Sequence, residues 1–396
     1  MTPDPATAAA GAAFGGLYDG RRVLVTGDTG FKGAWLCGWL ADLGAVVGGY
    51  ALDPPTDPSL FVLGGLDGEV AHVAGDVRDT TALAAATTTF APELVVHLAA
   101  QPIVRASYDD PRGTFDINVM GLVNLFEAVR ASPSVRAVVV VTSDKCYENA
   151  DPVDERAGAR CSAARPPFVE DDPLGGHDPY SASKGCAEIV TAAYRRSFCA
   201  AAGVRVASAR AGNVIGGGDW AVDRIVPDCV RALGAGEPVV VRRPDAVRPW
   251  QHVLEPLAGY LWLGARLLAG DAGLDRAWNL GPDPAACLAV GEVVTAFLAT
   301  YGAGSWLAAP ATAGEPHEAA VLTLDSALVA QRLGVRPVWP VAEAVARTAA
   351  WYRRWADGGD ARAAMRADVA AFVAAARDAA LPWAGAPTSA TAGRPA

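Results

Sequence analysis

Several features are missing from this 396-residue sequence, and each absence narrows what the chain can be. There is no surplus of positive charge. The 33 Lys and Arg stand against 43 Asp and Glu, a net charge of −10, which argues against a nucleic-acid or anionic-membrane surface. No Cys-x-x-Cys pair occurs, and the seven cysteines (37, 146, 161, 186, 199, 229 and 287) are odd in number. That usage speaks against a disulfide framework and a zinc cage, so no metal is expected, and it suits reduced thiols in a cytoplasmic protein. No apolar run reaches the roughly 18 residues that a membrane span requires. The first sixteen residues are rich in Ala and Gly but place no basic residue ahead of an apolar core, which makes a poor signal peptide. Internal repeats are absent too. What remains is a chain 52% hydrophobic, able to bury a large core and long enough for two lobes.

From Arg21 onward, short apolar runs alternate with helix-period segments. Residues 22–26, 46–52, 70–74, 94–98 and 137–141 read as strands, and 31–43 and about 114–131 as helices. The repeated βα unit predicts an α/β fold with a Rossmann-like, doubly wound parallel sheet. Beyond residue 212 the rhythm loosens at Gly216-Gly-Gly218 and several prolines, and a further helix is expected near 254–268. The expected division is a tail over 1–18 and an α/β domain over 19–212, with a later return near 247–281. A smaller, mixed α/β lobe follows over 213–378, and a second tail over 385–396. Residues 151–178, rich in Pro, Gly and charge, read as a long loop near the active edge, in the position of a lid.

The strand at 137–141 is nearly all valine, so both of its faces are buried. It ends at the carboxyl edge of the sheet, where open α/β folds bind ligands. There Ser143, Asp144 and Lys145 stand side by side. Further on, Tyr180-Ser-Ala-Ser-Lys184 sets Tyr180 and Lys184 at i and i+4, on one helix face. A phenol, a carboxyl and two amines at one sheet edge compose a proton-transfer site. Taken singly, Asp144-Lys145 is equally a solvated ion pair, and Tyr180 with Lys184 a surface helix pair.

A cofactor loop joins them. Strand 22–26 runs into Gly27-Asp-Thr-Gly-Phe-Lys-Gly33, a G-x-x-G-x-x-G turn opening a helix. Gly27 permits the tight turn, Gly30 lets backbone approach a pyrophosphate, and Gly33 lets helix pack on strand. Thr29, Phe31 and Lys32 complete the loop, whose helix N-terminus offers N–H donors to phosphate. Asp28 is awkward there, since a carboxylate repels a pyrophosphate unless it points away. Asp53, about 20 residues past the last glycine, stands where an acid holds a ribose diol, or else it opens the Pro54-Pro55 turn. No arginine adjoins it to take a 2′-phosphate, which favours NAD over NADP. From topology alone, Asp76 and Val77 are candidates to touch adenine, and Ala99, Ala100, Gln101 and Thr142 to line the cofactor.

At these residues the chain resembles the extended short-chain dehydrogenase/reductase family, and within it the sugar-nucleotide 4,6-dehydratases. The likeness runs from about residue 20 to 355 and includes Thr26-Gly-Asp-Thr-Gly-Phe-Lys-Gly33, Ala99-Ala-Gln-Pro102 and Thr142-Ser-Asp-Lys-Cys-Tyr147. It continues through Asp178-Pro-Tyr-Ser-Ala-Ser-Lys184, Arg210-Ala-Gly-Asn-Val-Ile-Gly-Gly-Gly-Asp-Trp220 and Arg248-Pro-Trp-Gln-His-Val-Leu-Glu-Pro256. The first and fourth of these are superfamily-wide; Ser-Asp-Lys, Gly-Gly-Gly-Asp-Trp and Arg-Pro-Trp-Gln-His are far more specific. Sister dehydratases usually carry Asp-Glu where this chain has Asp144-Lys145, and Asp28 stands where a histidine is expected.

The resemblance implies that a CDP-glucose substrate is converted to its 4-keto-6-deoxy form, with hydride returned internally through NAD. Tyr180 would remove the 4-hydroxyl proton, its phenolate favoured by Lys184, and Ser143 would hydrogen-bond the same oxygen. Lys145, neutral when it acts, would take the proton from C5, and a protonated Asp144 would release the 6-hydroxyl as water. Asn213 would hold the substrate. Arg242, Arg243 and Arg248 are candidates for its diphosphate, since an acidic protein must gather local cations around an anion, although loop arginines are as often solvated. His252, Trp220 and Trp250 read as packed residues rather than chemistry. Relatives form a dimeric four-helix interface from helices near 107–131 and 180–200, so a homo-oligomer (dimer or tetramer) is expected. Two other readings share the fold: a sugar-nucleotide epimerase, which has no need of Asp144-Lys145, and a non-catalytic NAD-sensing regulator, which would not keep the whole set.

Overall fold

Seven apolar runs form one sheet: β1 (Arg22–Thr26), β2 (Val46–Ala51), β3 (Ala71–Ala74), β4 (Leu94–His97), β5 (Ala137–Val141), β6 (Arg205–Ala211) and β7 (Ala277–Leu280). Their spatial order is β7-β6-β5-β4-β1-β2-β3, with every neighbouring pair parallel. This is the expected doubly wound order, with its switch point between β1 and β4. The structure, a computed structural model, describes residues 13–149, 166–283, 287–310 and 322–385.

Alternation along the strands divides the core. Val23, Val25, Val96 and Val139 face one hydrophobic cluster with Leu257 and Leu261; Leu24, Val95, Val138 and Val140 face another with Leu122, Leu125 and Phe126. Helices α1 (Phe31–Asp42), α2 (Thr80–Phe90), α3 (Gly121–Arg130), α4 (Pro179–Tyr194), α5 (Ile225–Ala235) and α6 (Leu254–Ala269) follow in chain order. With a helix layer on each side, β5 has no exposed residue, which is why its sequence is continuous valine rather than alternating. Each such side chain contributes about 1.5–3 kcal/mol by leaving water. The helix expected over 114–131 starts earlier. Pro111, behind an Asp110 side chain that accepts from Gly113 N at 2.8 Å, opens a turn that passes through a π segment, Asp116–Met120, into α3.

Within residues 247–281, α6 covers β4, β5 and β6, and β7 stands at the sheet edge beside β6. Between and beyond lie three two-stranded pairs, 214–215 with 251–252, 247–249 with 287–289, and 239–241 with 306–308. Helices α7 (Val290–Tyr301) and α8 (Val341–Ala356) pack together. The last helix among the described residues, α9 (Ala361–Asp378), lies against α1 of the first domain, where Arg362 donates to Asp42 (2.8 Å) and Glu69 (2.7 Å).

Two expectations need correction. The tail assigned to 1–18 ends sooner, because Phe14 and Tyr18 are buried: Phe14 stacks on Trp383 with centroids 5.4 Å apart, and the Tyr18 hydroxyl donates to Leu261 O at 2.6 Å. Their Ala- and Gly-rich neighbours hid two aromatic anchors. Cysteines 37, 146, 186, 199 and 229 are free thiols, but Cys287 is disulfide-bonded, so uniform reduction does not hold. The remainder of the first tail (1–12), the second beyond residue 385, and residues 150–165 of the lid segment lie outside the described residues.

Candidate active site

A cleft of about 740 Å³ opens along the carboxyl ends of β1, β2, β4, β5 and β6 and is closed on its far side by residues 213–250. Its size suits a dinucleotide-plus-ligand site rather than a surface groove. One wall is the β1–α1 turn. Gly27 has φ +77°, and a Cβ there would come 2.8 Å from Ala99 N; a Cβ on Gly33 would come 2.0 Å from Gly27 O. Only glycine leaves this backbone close enough to a pyrophosphate while α1 packs on β1. Thr29 Oγ1 donates to Leu52 O at 2.9 Å, pinning the turn to the end of β2. No side chain caps α1, so its first N–H groups face the cleft.

Asp28 does point away. Its side chain is fully buried against β2, where Gly49 leaves room for it, and Oδ2 meets His72 Nδ1 of β3 at 2.7 Å. Burial pushes its carboxyl up, opposed by the imidazole. The carboxylate that replaces the expected histidine has therefore found an imidazole on a neighbouring strand. Asp53 is exposed at the end of β2, and Asp76 is held by Arg78 at 2.5 Å; both line the cleft, as do Val77, Ala99, Ala100 and Thr142. Gln101 does not, because its amide is engaged elsewhere: Nε2 donates to Thr114 Oγ1 at 3.0 Å and Oε1 accepts from Ile103 N at 2.5 Å. The cradle of excluded Cβ positions, the free N–H groups and the absence of Asp28 from the cleft together fit NAD.

The opposite wall is built of side chains. Ser143, Asp144 and Lys145 follow β5 on a short 3-10 turn. Ser143 Oγ donates to Asp144 Oδ1 at 2.9 Å and accepts from Lys145 N at 3.2 Å. Burial raises the Asp144 pKa, against the pull of Lys145, Ser143 and Lys32, so this carboxyl is biased toward holding a proton. Helix α4 starts where Asp178 caps it, its carboxylate accepting from Ser181 N (2.9 Å) and Ser181 Oγ (2.6 Å), with Pro179 in the first turn. This cap fixes Tyr180 at the mouth of the helix, and Tyr180 N is further held by Ser107 Oγ at 3.2 Å.

Burial pushes the Tyr180 phenol up to about 12, and the Ser143 hydroxyl and Arg224 guanidinium pull it back. The expected counter-cation, Lys184, lies 5.9 Å from the ring centroid and is itself pushed down to about 8 by burial, against the pull of Cys146 and Glu188. Arg224 is thus a second cation near the phenol, beside Lys184. Lys32, placed by sequence among cofactor residues, is also pushed down to about 8, by burial and then by Arg224 and Lys184. His97, whose Nδ1 is 2.7 Å from Thr26 Oγ1, is driven down to about 3 by burial and stays neutral.

Asn213, Arg242, Arg243 and Arg248 all line the cleft from the second lobe. Arg242 pairs with Asp223 at 3.0 Å, and Arg248 Nη1 donates to Val247 O at 3.0 Å. Arg224, missed by the sequence reading, lies deeper and pairs with Asp219 at 2.9 Å. Its only signal was an isolated cation just before α5, a few residues beyond the Gly-Gly-Gly-Asp-Trp segment. Glu188 and Arg210 were missed too, although Glu188 continues the Tyr180–Lys184 face at a further i+4 step. His252 is packed between Trp35 and Trp339, and Trp220 edges onto Trp351, Tyr352 and Trp355. Among the described residues no group of three or more His, Cys, Asp or Glu is placed to hold a metal, and no helix is long and apolar enough to cross a membrane.

Comparison with known proteins agrees with this arrangement. Residues 23–281 match the model of the NAD dependent epimerase/dehydratase family. The chain is 43% identical over 367 residues to the CDP-glucose 4,6-dehydratase of Salmonella typhimurium, covering 91% of this chain and 98% of that enzyme. It superposes on DesIV, a dTDP-glucose 4,6-dehydratase from Streptomyces venezuelae with NAD and TYD bound, with TM-score 0.68 and 26% identity, over 86% of this chain and 99% of that one. The UDP-glucose 4-epimerase of Brucella ovis in complex with NAD matches with TM-score 0.67 and 25% identity, over 83% and 97%. With family match, fold and cleft in accord, this chain belongs to the NAD-dependent epimerase/dehydratase family.

Proposed function

We infer that this chain is an NAD-dependent sugar-nucleotide 4,6-dehydratase that converts CDP-D-glucose to CDP-4-keto-6-deoxy-D-glucose and water. The observation that carries this reading is the Asp144-Lys145 pair at the end of β5, in one cleft with Tyr180 and Lys184. An epimerase uses the phenol and needs no second acid and base. The cytidine base comes from the 43% identity to the Salmonella enzyme.

NAD held at the β1–α1 turn would supply the hydride acceptor for C4 and the hydride donor for C6. Tyr180 accepts the proton of the 4-hydroxyl, while Ser143 hydrogen-bonds the same oxygen. The ketone so formed acidifies the C5 hydrogen, which Lys145 removes. Asp144, whose raised pKa keeps its proton available, delivers it to the 6-hydroxyl, and water leaves. Lys145 then returns its proton to C5. A proton passed from Tyr180 to Asp144 resets both groups. Arg224, Arg242, Arg243 and Arg248 supply positive charge for the diphosphate in a protein of net charge −10.

The test is incubation with CDP-glucose, with dTDP- and GDP-sugars alongside, following product mass and the alkaline absorbance of a 4-keto-6-deoxy sugar. Loss of water from CDP-glucose alone supports the reading. Loss of water from another nucleotide sugar keeps the chemistry and overturns the base. An isomer of unchanged mass moves the chain to the epimerases, and silence in the presence of bound NAD revives the regulator.

A homodimer through the paired helices of 111–130 and α4 is proposed with it. Met120 is 49% and Ile189 58% exposed there, an apolar surface that a monomer would leave wet. Light scattering of wild type and Ile189→Glu tests it. A cytoplasmic location is proposed because, among the described residues, five cysteines are free thiols and only Cys287 is disulfide-bonded.

A further inference from the structure

Behind the reacting groups lies a buried charge pair that the mechanism above does not use. Glu188 sits on α4 one turn past Lys184 and two past Tyr180, and its side chain is 3% exposed. Both of its oxygens are engaged. Oε1 accepts from Thr142 Oγ1 at 2.5 Å, and Oε2 accepts from Ser208 Oγ at 2.7 Å and Arg210 Nη2 at 2.8 Å. Arg210, also 3% exposed, uses its other arm on the Tyr147 hydroxyl at 2.7 Å and Glu170 O at 2.9 Å. Tyr147 in turn donates to Asn279 Oδ1 at 2.6 Å, on β7.

The two ends of this chain of bonds are informative. Thr142 immediately precedes Ser143-Asp144-Lys145, and Tyr147 follows after the single residue Cys146. The segment carrying the second acid and base is therefore hung at both ends from one ion pair. One member of that pair rides on the helix that presents Tyr180 and Lys184. A purely structural ion pair has no reason to grip both sides of a catalytic turn, and a buried one is costly to keep, since apolar residues of equal volume do as well or better.

We propose that Glu188 and Arg210 are positioning residues: their ion pair sets the distance between the Tyr180–Lys184 face and the Ser143–Asp144–Lys145 turn, and the Glu188 carboxylate keeps the Lys184 ammonium charged. This rests on the dehydratase reading. The i,i+4 spacing puts Glu188 and Lys184 side by side on α4, and Glu188 acts against the burial that pushes the lysine down. As pH rises through about 8 Lys184 loses its proton, as does Lys32 beside it, which leaves Arg224 as the cation facing the phenol, so activity declines on the alkaline side. Without the carboxylate, that decline begins at lower pH.

The experiment uses full-length enzyme with its NAD, comparing wild type, Glu188→Gln, Glu188→Asp and Thr142→Val for kcat, KM, the pH profile of kcat, NAD content and Tm. For Glu188→Gln the expected result is a kcat lowered about 10–100-fold with KM within about twofold. Its alkaline limb should also be shifted down by about half to one pH unit. Glu188→Asp restores the charge and returns the limb to the wild-type position. Thr142→Val keeps the ion pair but cuts its grip on the turn, so kcat falls about tenfold while the limb stays in place. If Glu188→Gln does not fold, the last two variants carry the test. A limb unmoved in Glu188→Gln, a limb still displaced in Glu188→Asp, or wild-type kcat in Thr142→Val overturns the proposal. An inactive wild type overturns the dehydratase reading itself and the proposal with it.

Discussion

The two walls of the cleft are made in opposite ways. At the β1–α1 turn the working surface is backbone, and the sequence contributes mainly by what it omits: a Cβ at Gly33 would strike Gly27 O at 2.0 Å. At the ends of β5 and α4 the working surface is side chains, each held by another side chain behind it, from Ser143 on Asp144 to Thr142 on Glu188. The first wall is rigid because there is no room in it. The second is rigid only as long as its hydrogen bonds persist, and burial shifts the pKa values of its titratable side chains.

The comparison is sharpest where one wall fails and the other survives. Lys145→Ala should lower product formation by about 10³-fold while bound NAD is unchanged. Because oxidation at C4 precedes loss of the C5 proton, this variant should accumulate reduced cofactor on mixing with CDP-glucose, read by NADH absorbance; Tyr180→Phe should not. A Lys145→Ala enzyme that turns over normally would break the division of labour. Gly33→Ala is the converse. NAD affinity by calorimetry should fall about 100-fold, with much of the lost turnover regained at excess NAD, since the side-chain wall is untouched.

A smaller effect is expected beneath the backbone wall. His72→Ala strips Asp28 of its partner and leaves a buried carboxylate whose Oδ1 is already unsatisfied. Denaturant unfolding should show a loss of roughly 1–3 kcal/mol, and an Asp28→Ala/His72→Ala double variant should recover part of it. The smallest change belongs to the rim. Arg242 is more than a third exposed and already paired, so Arg242→Ala should raise KM about threefold and leave kcat alone. A loss confined to kcat would place Arg242 nearer the chemistry than its exposure allows.

What could be read in advance follows the same division. The glycine turn, the β5 edge and the Tyr180–Lys184 face each lie within a few consecutive residues, so local spacing was enough to find them. Strand β5 was legible to the residue, since continuous valine has few other uses. The missed features are pairings between residues far apart. Asp28 meets His72 across 44 positions and Glu188 meets Arg210 across 22, and no local period links them. Gln101 was placed beside the cofactor from topology alone, with Ala99 and Ala100; only the fold shows its amide turned to Thr114. Phe14 and Tyr18 were given to a tail because composition averages over residues, and two aromatics are outvoted by their Ala and Gly neighbours.

The docking of α9 on α1 also has a consequence in time. Asp42 receives Arg362 from 320 residues further along the chain, and Arg366 from 324. At ribosomal speed that interval is on the order of tens of seconds. Throughout it the newly made first helix waits with an acidic side chain and an apolar flank uncovered. The nascent polypeptide is therefore obliged to hold its opening βα unit half-dressed until its final helix emerges. A stop codon placed just before residue 361 would leave that flank bare for good, in a product that keeps every residue proposed for the chemistry yet is prone to aggregate.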